Sequence, residues 1–157
     1  VDSQMKSFAR FITKPKIARV GKSIPLTGVA QAGMSGLAKV QYWVRKADKP
    51  LPAGDRYYTN APWKDAEILP PPDRWDMFPD GKLPPIPNQV GRDGKFLEWP
   101  PRNTLAHWAV LQPALQAGKY EIRCRAVDRN GVAQPMPRPF QKSGGNLIQM
   151  IPLRVFG

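Results

Sequence analysis

The stretch from Tyr120 to Ala126 constrains the fold of this chain more than any other. Apolar residues occupy every second position along it, and charged residues stand at the positions between. A period of two is typical of a half-buried β-strand and is incompatible with an amphipathic helix. The segment from Asp128 to Gly131 follows with residues that favour turns, so the chain is predicted to reverse direction there.

Length and cysteine content narrow the class of protein. A chain of 157 residues suits one domain, which would bury roughly 70% of its unfolded surface. One cysteine excludes an intrachain disulfide, and one cysteine with one histidine cannot complete a four-ligand zinc site. No apolar run approaches the ~20 residues of a membrane span, so no membrane partner is expected. Because the sequence starts at Val1 without Met or an apolar signal core, we expect a mature fragment or an excised domain.

The net charge of +12 is concentrated in the two flanks of the chain. Residues 1–60 carry 11 Lys or Arg against 3 Asp or Glu, residues 61–103 carry 6 against 7, and residues 104–157 carry 7 against 2. A basic field of this size attracts nucleic acid, acidic proteins or anionic substrates without distinguishing among them. The alternative is that these cations are the solvated outer faces of strands.

Strand patterns recur along the chain, and no convincing amphipathic helix accompanies them. At least seven short strands indicate an all-β sandwich that occupies residues 1–157 as one domain. Besides the strand at Tyr120, the predicted strands are Ser7 to Pro15, Gly21 to Ala32, Leu37 to Lys46, Trp63 to Leu69, Leu105 to Leu111 and Leu147 to Phe156.

Residues 70–103 differ in kind from the rest of the chain. They hold nine prolines in 34 positions, a density that no core strand tolerates. Their Trp and Phe residues argue against plain disorder, which is poor in aromatics. We therefore predict a packed, proline-rich insertion that lies across the sandwich or against a partner.

Trp43 stands out on the third predicted strand. Alternation places Val40, Tyr42 and Val44 toward the core, so Trp43 points the other way together with Gln41 and Arg45. Trp and Arg are enriched at the energetic centres of interfaces, which makes Trp43, Arg45 and Gln41 candidate interface residues. The alternative is that Trp75 or Trp99 of the insertion stacks over Trp43 within one chain.

The residues that could carry catalysis are few and do not form a set. His107 beside Trp108 is interpreted as a packed or surface histidine, and Cys124 as a small buried hydrophobe. Asp128 is better explained as a turn residue. The repeat of Asp73, Asp76 and Asp80 lacks the glycine pattern of a calcium loop, and no glycine-rich phosphate loop precedes a helix. We predict no catalytic, cofactor-binding or metal-binding residues within this chain.

Several pieces of the sequence together resemble the C-terminal dimerisation domain of sulfite-oxidase-type molybdenum oxidoreductases. The most specific piece is Arg125-Ala-x-Asp-x-x-Gly-x-x-Gln-Pro135, and the similarity covers nearly the whole chain outside residues 46–62 and 70–103. The other pieces are Gly28-Val-Ala30, Gly36 to Tyr42, Trp63-Lys-Asp-Ala66, Trp108 and Gly118-Lys-Tyr120.

The resemblance implies an immunoglobulin-like (E-set) β-sandwich of about seven strands with a long Pro-rich insertion. It implies a non-catalytic dimerisation domain that packs on a molybdopterin-holding domain of the same polypeptide and forms a homodimer, in a periplasmic or exported protein. Gly118 and Tyr120 also fit the corner of such sandwiches, in which a Tyr hydroxyl bonds upstream backbone. An ordinary inward Tyr is the alternative for that corner.

The sequence departs from this family at three places. Residues 45–62 replace the tight turn that commonly follows the third strand, and Trp43 stands where a small polar residue is usual. The loop before the last strand offers only Lys142, with Arg138 earlier, as possible anion-facing residues, so no substrate carries over. The alternative function is an independent basic sandwich that binds an acidic polymer or acidic protein. Specific nucleic-acid binding is not expected.

Overall fold

The computed structural model describes residues 7–135 and 147–157. Over these residues the chain forms eight strands and no helix, which confirms the all-β prediction and adds one strand to the seven expected. No helix in this described part is long and apolar enough to cross a membrane. The strands are β1 (Phe8–Phe11), β2 (Ile17–Arg19), β3 (Ile24–Gln31), β4 (Leu37–Lys46), β5 (Lys64–Ile68), β6 (Ala106–Gln112), β7 (Gly118–Asp128) and β8 (Gln149–Phe156).

The eight strands form one curled sheet in the order β1-β3-β6-β5-β4-β7-β8-β2. All neighbours are antiparallel except β2 and β8, which run parallel. Strand β5 bonds to both β4 and β6 and so joins the two halves of the sheet. The extra strand is β2, whose three residues are too few to show a period in the sequence.

The curl of the sheet encloses one hydrophobic core. Strand β1 lies at one edge of the sheet and contacts β7 and β8 from the other half across the core. Alternation along each strand determines which side chains point into the core. In β8, for example, every second residue from Ile151 to Val155 is buried. The buried cluster comprises Ala9, Phe11, Ile24, Leu26, Ala30, Ala32, Leu37, Val40, Tyr42, Ala106, Trp108, Tyr120, Ile122, Cys124, Ala126, Ile151, Leu153 and Val155.

Gly28 and Trp108 interlock at the centre of one half. Gly28 of β3 pairs with Phe11 on one side and with Trp108 on the other. A Cβ atom at Gly28 would lie 2.3 Å from the indole of Trp108 and 2.1 Å from the carbonyl oxygen of Arg10. The missing side chain therefore makes room for Trp108, which is fully buried and stacks edge-on against Phe11 at 5.4 Å between centroids.

The segment after β7 is held by two polar side chains. Asp128 accepts hydrogen bonds from the backbone amides of Asn130 and Val132, which closes the predicted turn. The Gln134 side chain is 1% exposed; its Oε1 accepts from the amides of Ala9 (2.9 Å) and Ala126 (3.1 Å). Its Nε2 donates to the carbonyl of Leu147 (2.8 Å). Gln134 thus ties β1, β7 and the approach to β8 together.

Tyr120 makes the corner contact that the sequence predicted. Its hydroxyl donates to the backbone carbonyl of Gln116, four residues upstream, at 3.0 Å. Its ring is buried in the core, so the one side chain fills the interior and fixes the chain that enters β7.

Candidate interaction face

The side of β4, β7, β8 and β2 that points away from the core is called the outer face here. Strand register builds it in rows, because residues paired across neighbouring strands point to the same side. Arg45 lies opposite Glu121 and Trp43 lies opposite Arg123. The predicted direction of Trp43 is therefore confirmed.

Trp43 is nevertheless only 6% exposed. The connection from Ala47 to Trp63 folds back over it, and the rings of Tyr58 and Trp63 lie 5.5 and 5.9 Å from the Trp43 ring. The alternative in which Trp75 or Trp99 of the insertion stacks over Trp43 is wrong, because both of those rings pack within the insertion.

Two arginines of β7 complete this aromatic layer. The guanidinium of Arg123 lies over Trp43 at 5.5 Å and over Tyr58 at 4.7 Å, and that of Arg125 lies over Trp63 at 4.3 Å. Such cation–π contacts are stronger where water is excluded. Burial lowers the pKa of Arg125 and the nearby Asp55 carboxylate partly opposes this shift. Two arginines that looked solvent-facing in the sequence thus serve to hold the connection.

Glu121 is the carboxylate that compensates the positive charge of Arg123 and Arg45 in this layer. It accepts hydrogen bonds from Arg123 at 2.8 Å and from Arg45, which also donates to the carbonyl of Lys49. Burial acts to raise the pKa of Glu121, but the hydrogen bonds and charges of Arg123 and Arg45 outweigh it and lower the pKa overall. The carboxylate therefore stays ionised into mild acid, and its Oε2 binds both arginines.

The connection itself is shaped by a short local network. Asp55 accepts hydrogen bonds from the backbone amides of Thr59 and Asn60, and these two bonds, Asn60 first, lower its pKa. The Trp63 indole nitrogen donates to the carbonyl of Tyr58 at 2.7 Å, and Tyr58 adopts a positive φ of 57°. These hydrogen bonds hold the rings of Tyr58 and Trp63 against Trp43.

The three candidate interface residues all make contacts within the chain. Gln41 bridges the side chains of Arg125 and Asp65 at 2.9 Å each, Arg45 pairs with Glu121, and Trp43 is covered. A contact of these residues with a second chain stays a prediction. For Trp43 it would have to be made through Tyr58 and Trp63, which cover its ring.

The remaining sequence candidates lie apart from one another. Arg138 and Lys142 lie outside the described residues. Cys124 is fully buried in the core, and this burial strongly raises the pKa of its thiol. His107 points outward on β6 and is exposed. Among the residues that the structure describes, no three His, Cys, Asp or Glu side chains come close enough together to hold a metal ion.

The half of the outer face formed by β7, β8 and β2 is open, and sequence reasoning missed it. Lys119 of β7 lies opposite Arg154 of β8, which in turn pairs with Ile17 of β2. Further along β8, Met150 and Pro152 form the apolar floor of a groove of about 460 Å³ that Lys119 and Arg154 also line. The alternation of β8 could have indicated this open face, because its outward residues are Met150, Pro152, Arg154 and Phe156.

The insertion is built around three stacked aromatic rings. Phe96 lies between Trp75 and Trp99, with centroids at 6.0 and 5.4 Å. The Trp99 indole donates to the carbonyl of Leu69 at 2.8 Å, and Glu98 pairs with Arg129, just beyond β7. The predicted packed insertion is therefore anchored to the end of the sheet at which β5 and β7 finish.

No protein-family model matches the chain, and no curated protein matches it either.

Proposed function

We propose that this chain is a non-catalytic dimerisation and assembly domain of a sulfite-oxidase-like molybdenum oxidoreductase. It is an immunoglobulin-like (E-set) sandwich over residues 1–157 that carries the Pro-rich insertion 70–103. It packs on a molybdenum cofactor domain elsewhere in the same polypeptide and on a second copy of itself. The molybdopterin belongs to that other domain.

The observation that carries the proposal is that the residues of the family resemblance depend on one another in space. Gly28 leaves room for Trp108, and Gln134 bonds the backbone of Ala126 within its own motif. Asp128, which lies between Ala126 and Gln134 in the sequence, closes the turn that follows β7. Proteins that share a fold are expected to share sets of residues that depend on one another in this way. The motif is therefore better explained by common architecture than by chance.

Two features support the immunoglobulin-like form of the sandwich. The Tyr120 hydroxyl bonds the backbone upstream of its strand, as in the corner of those domains. The two halves of the sheet, joined through β5, share one buried cluster, and β1 of one half contacts β7 and β8 of the other. Both features are compatible with two packed layers.

The coding sequence upstream of Val1 provides the decisive test. We expect an open reading frame that continues in phase into a domain with a molybdenum-binding cysteine. An in-phase stop codon shortly before Val1 would overturn the assignment.

The metal content of the isolated chain provides a second test. We expect no bound molybdenum, because the thiol of Cys124 is buried in the core and its pKa is raised, whereas a metal ligand must be an accessible thiolate. The measurement is elemental analysis of purified protein. About one molybdenum per chain would contradict the proposal.

The basic open half of the outer face favours a second candidate, a domain that binds an acidic polymer. Arg123 and Arg125 are covered by the connection whose aromatic rings they contact, whereas Lys119 is exposed, and so is Arg154, which lies over the ring of Phe156 at 4.7 Å. If a polyanion such as polyglutamate is the partner, affinity should fall log-linearly with salt as counterions are released. Weak binding without that steep dependence favours the assembly domain.

A further inference from the structure

The open half of the outer face contains a groove with a strong positive rim. Lys14, Lys16, Lys119 and Arg154 surround its apolar floor of Met150 and Pro152, and this set is called the basic groove. All four cations are exposed, as is Met150 at 43%. The one acid beside it, Glu121, is already paired with Arg45 and Arg123. The groove therefore suits an occupant that is both acidic and apolar.

The insertion presents a loop with that chemistry. Residues 73–80, called the Met77 loop, contain Asp73, Asp76 and Asp80 against the single cation Arg74, which forms an exposed ion pair with Asp76 at 3.1 Å and leaves the loop net acidic. The loop is closed by a bond from the amide of Trp75 to the carbonyl of Gly81 at 2.9 Å. Its tip carries Met77, whose 82% exposure is the largest of any exposed large hydrophobic residue in the described chain. The described part of the chain leaves this side chain uncovered, so its apolar surface is available to a partner.

We infer that the basic groove receives the Met77 loop of a second copy of this chain. Met77 would lie on the floor beside Met150 and Pro152, since methionine adapts to irregular apolar surfaces. Asp73 and Asp76 would face the lysines of the rim. The inference rests on the proposed dimerisation and specifies which surfaces make it.

The positions of the two surfaces allow both contacts to form at once. The groove lies where β7 begins, at Lys119, whereas the insertion is anchored at Arg129, just after β7 ends. Ten residues of strand separate those points by about 33 Å. Two copies arranged antiparallel about a two-fold axis would bring the loop of each one to the groove of the other. Such a reciprocal pair closes as a dimer and does not propagate into a fibre.

The stretches outside the described residues do not have the charge that the groove requires. Residues 1–6 contain one Asp and one Lys, and residues 136–146 contain Arg138, Lys142 and no acid. Neither stretch is net acidic, whereas residues 73–80 carry three acids against one base. Charge complementarity thus favours the Met77 loop.

The test is a charge swap followed by sedimentation. The loop variant is Asp73→Lys with Asp76→Lys, and the groove variant is Lys119→Glu with Arg154→Glu. Each variant alone places like charges opposite one another, so dimerisation should weaken ~100-fold. An equimolar mixture restores both contacts and should sediment as a heterodimer. Lys22→Glu with Lys64→Glu changes the net charge as much as the groove variant and should leave the dimer intact.

A change at the apolar anchor tests the same contact without altering charge. Met77→Ser should weaken the dimer, whereas Leu97→Ser, at another exposed apolar position of the insertion, should not. Circular dichroism of each variant confirms that the sheet is intact.

The outcomes separate this inference from the dimerisation on which it rests. Dimers that are insensitive to every charge and Met77 change would overturn the inference and leave dimerisation standing. A wild-type chain that stays monomeric at all concentrations would overturn both. If the groove variant still dimerises but loses polyglutamate binding, the groove serves an acidic polymer and the inference is wrong.

Discussion

Gly28 lies where two neighbouring strands and an indole ring leave no room for a side chain. The nearest atoms to a Cβ at this position include backbone, which cannot swing aside as a flexible side chain can. The indole belongs to Trp108, the largest fully buried side chain among the described residues. At the scale of single residues, the identity of one glycine thus determines whether the half of the sheet built from β1, β3 and β6 can close.

Gly28→Ala should therefore be strongly destabilising. Overpacking typically costs 1–3 kcal/mol, and a clash with backbone places this change at about 3 kcal/mol or more. Urea unfolding followed by Trp fluorescence measures the loss. Gly157→Ala adds a Cβ in open space and should be neutral. Equal stability of the two variants would contradict the tight contact at Trp108.

Glu121 should make stability depend on pH in acid. Its pKa is lowered in the folded chain, so its contribution is full above the unfolded pKa and is lost as pH falls through the folded pKa. Glu121→Gln should cost about 2 kcal/mol at neutral pH, the value of a buried charged hydrogen bond, and the difference should shrink below pH ~4. Unfolding curves of both proteins across pH measure this difference. Exposed Glu67→Gln is the control, and a difference that grows in acid would exclude this role for Glu121.

Two irregular elements cover surfaces that the strands leave open. The connection from Ala47 to Trp63 covers the half of the outer face around Trp43, and the insertion builds its own small core from three aromatic rings. Neither element has a regular period, so each depends on a few specific contacts. Loss of a single ring should loosen an entire element without unfolding the sheet.

Phe96→Ala should release the insertion. Phe96 is the central ring of the stack, and its removal takes away both aromatic contacts, so trypsin cleavage after Lys82 or Lys95 should accelerate roughly tenfold. Limited proteolysis with mass spectrometry locates the cuts, and circular dichroism shows the sheet. Leu97→Ala, at an exposed neighbouring position, is the control. Rapid cleavage of the wild-type chain at these sites would show that the stack does not order the insertion.

The strands could be predicted because their pattern is local. Leu37 to Lys46 was predicted with the observed bounds, since alternation is legible over ten residues. Strand β2 could not be, because its three residues form a strand only through pairing with β8, far away in sequence. The direction of Trp43 followed from alternation, but its cover did not, because Tyr58 reaches it through a turn with a positive φ. The basic groove combines residues from three separate segments and has no signature in any one of them.

At the scale of the whole molecule, one core is shared by both halves of the sheet. Cys124 is fully buried on β7, so its thiol reports on the opening of that core. Burial also raises its pKa, which suppresses the reactive thiolate.

A thiol reagent should therefore label Cys124 only when the whole molecule unfolds. The labelling rate in native buffer should follow the global unfolding equilibrium and rise with urea along the same curve as Trp fluorescence. Mass spectrometry counts the labelled chains, and labelling in full denaturant gives the reference rate. Fast labelling of the native chain would show that β7 opens locally.

The parallel pairing of β2 with β8 determines when this domain can fold during its synthesis. Strand β2 is made before β8, and its hydrogen-bonding partner Arg154 follows 137 residues after Ile17. At translation rates of 5–20 residues per second, that delay is roughly 7 to 27 seconds. Likewise, the backbone amide of Ala9, at the other sheet edge, cannot form its hydrogen bond until Gln134 has been made. The sheet of this domain therefore cannot be completed, and its apolar segments stay accessible to chaperones, until β8 has emerged.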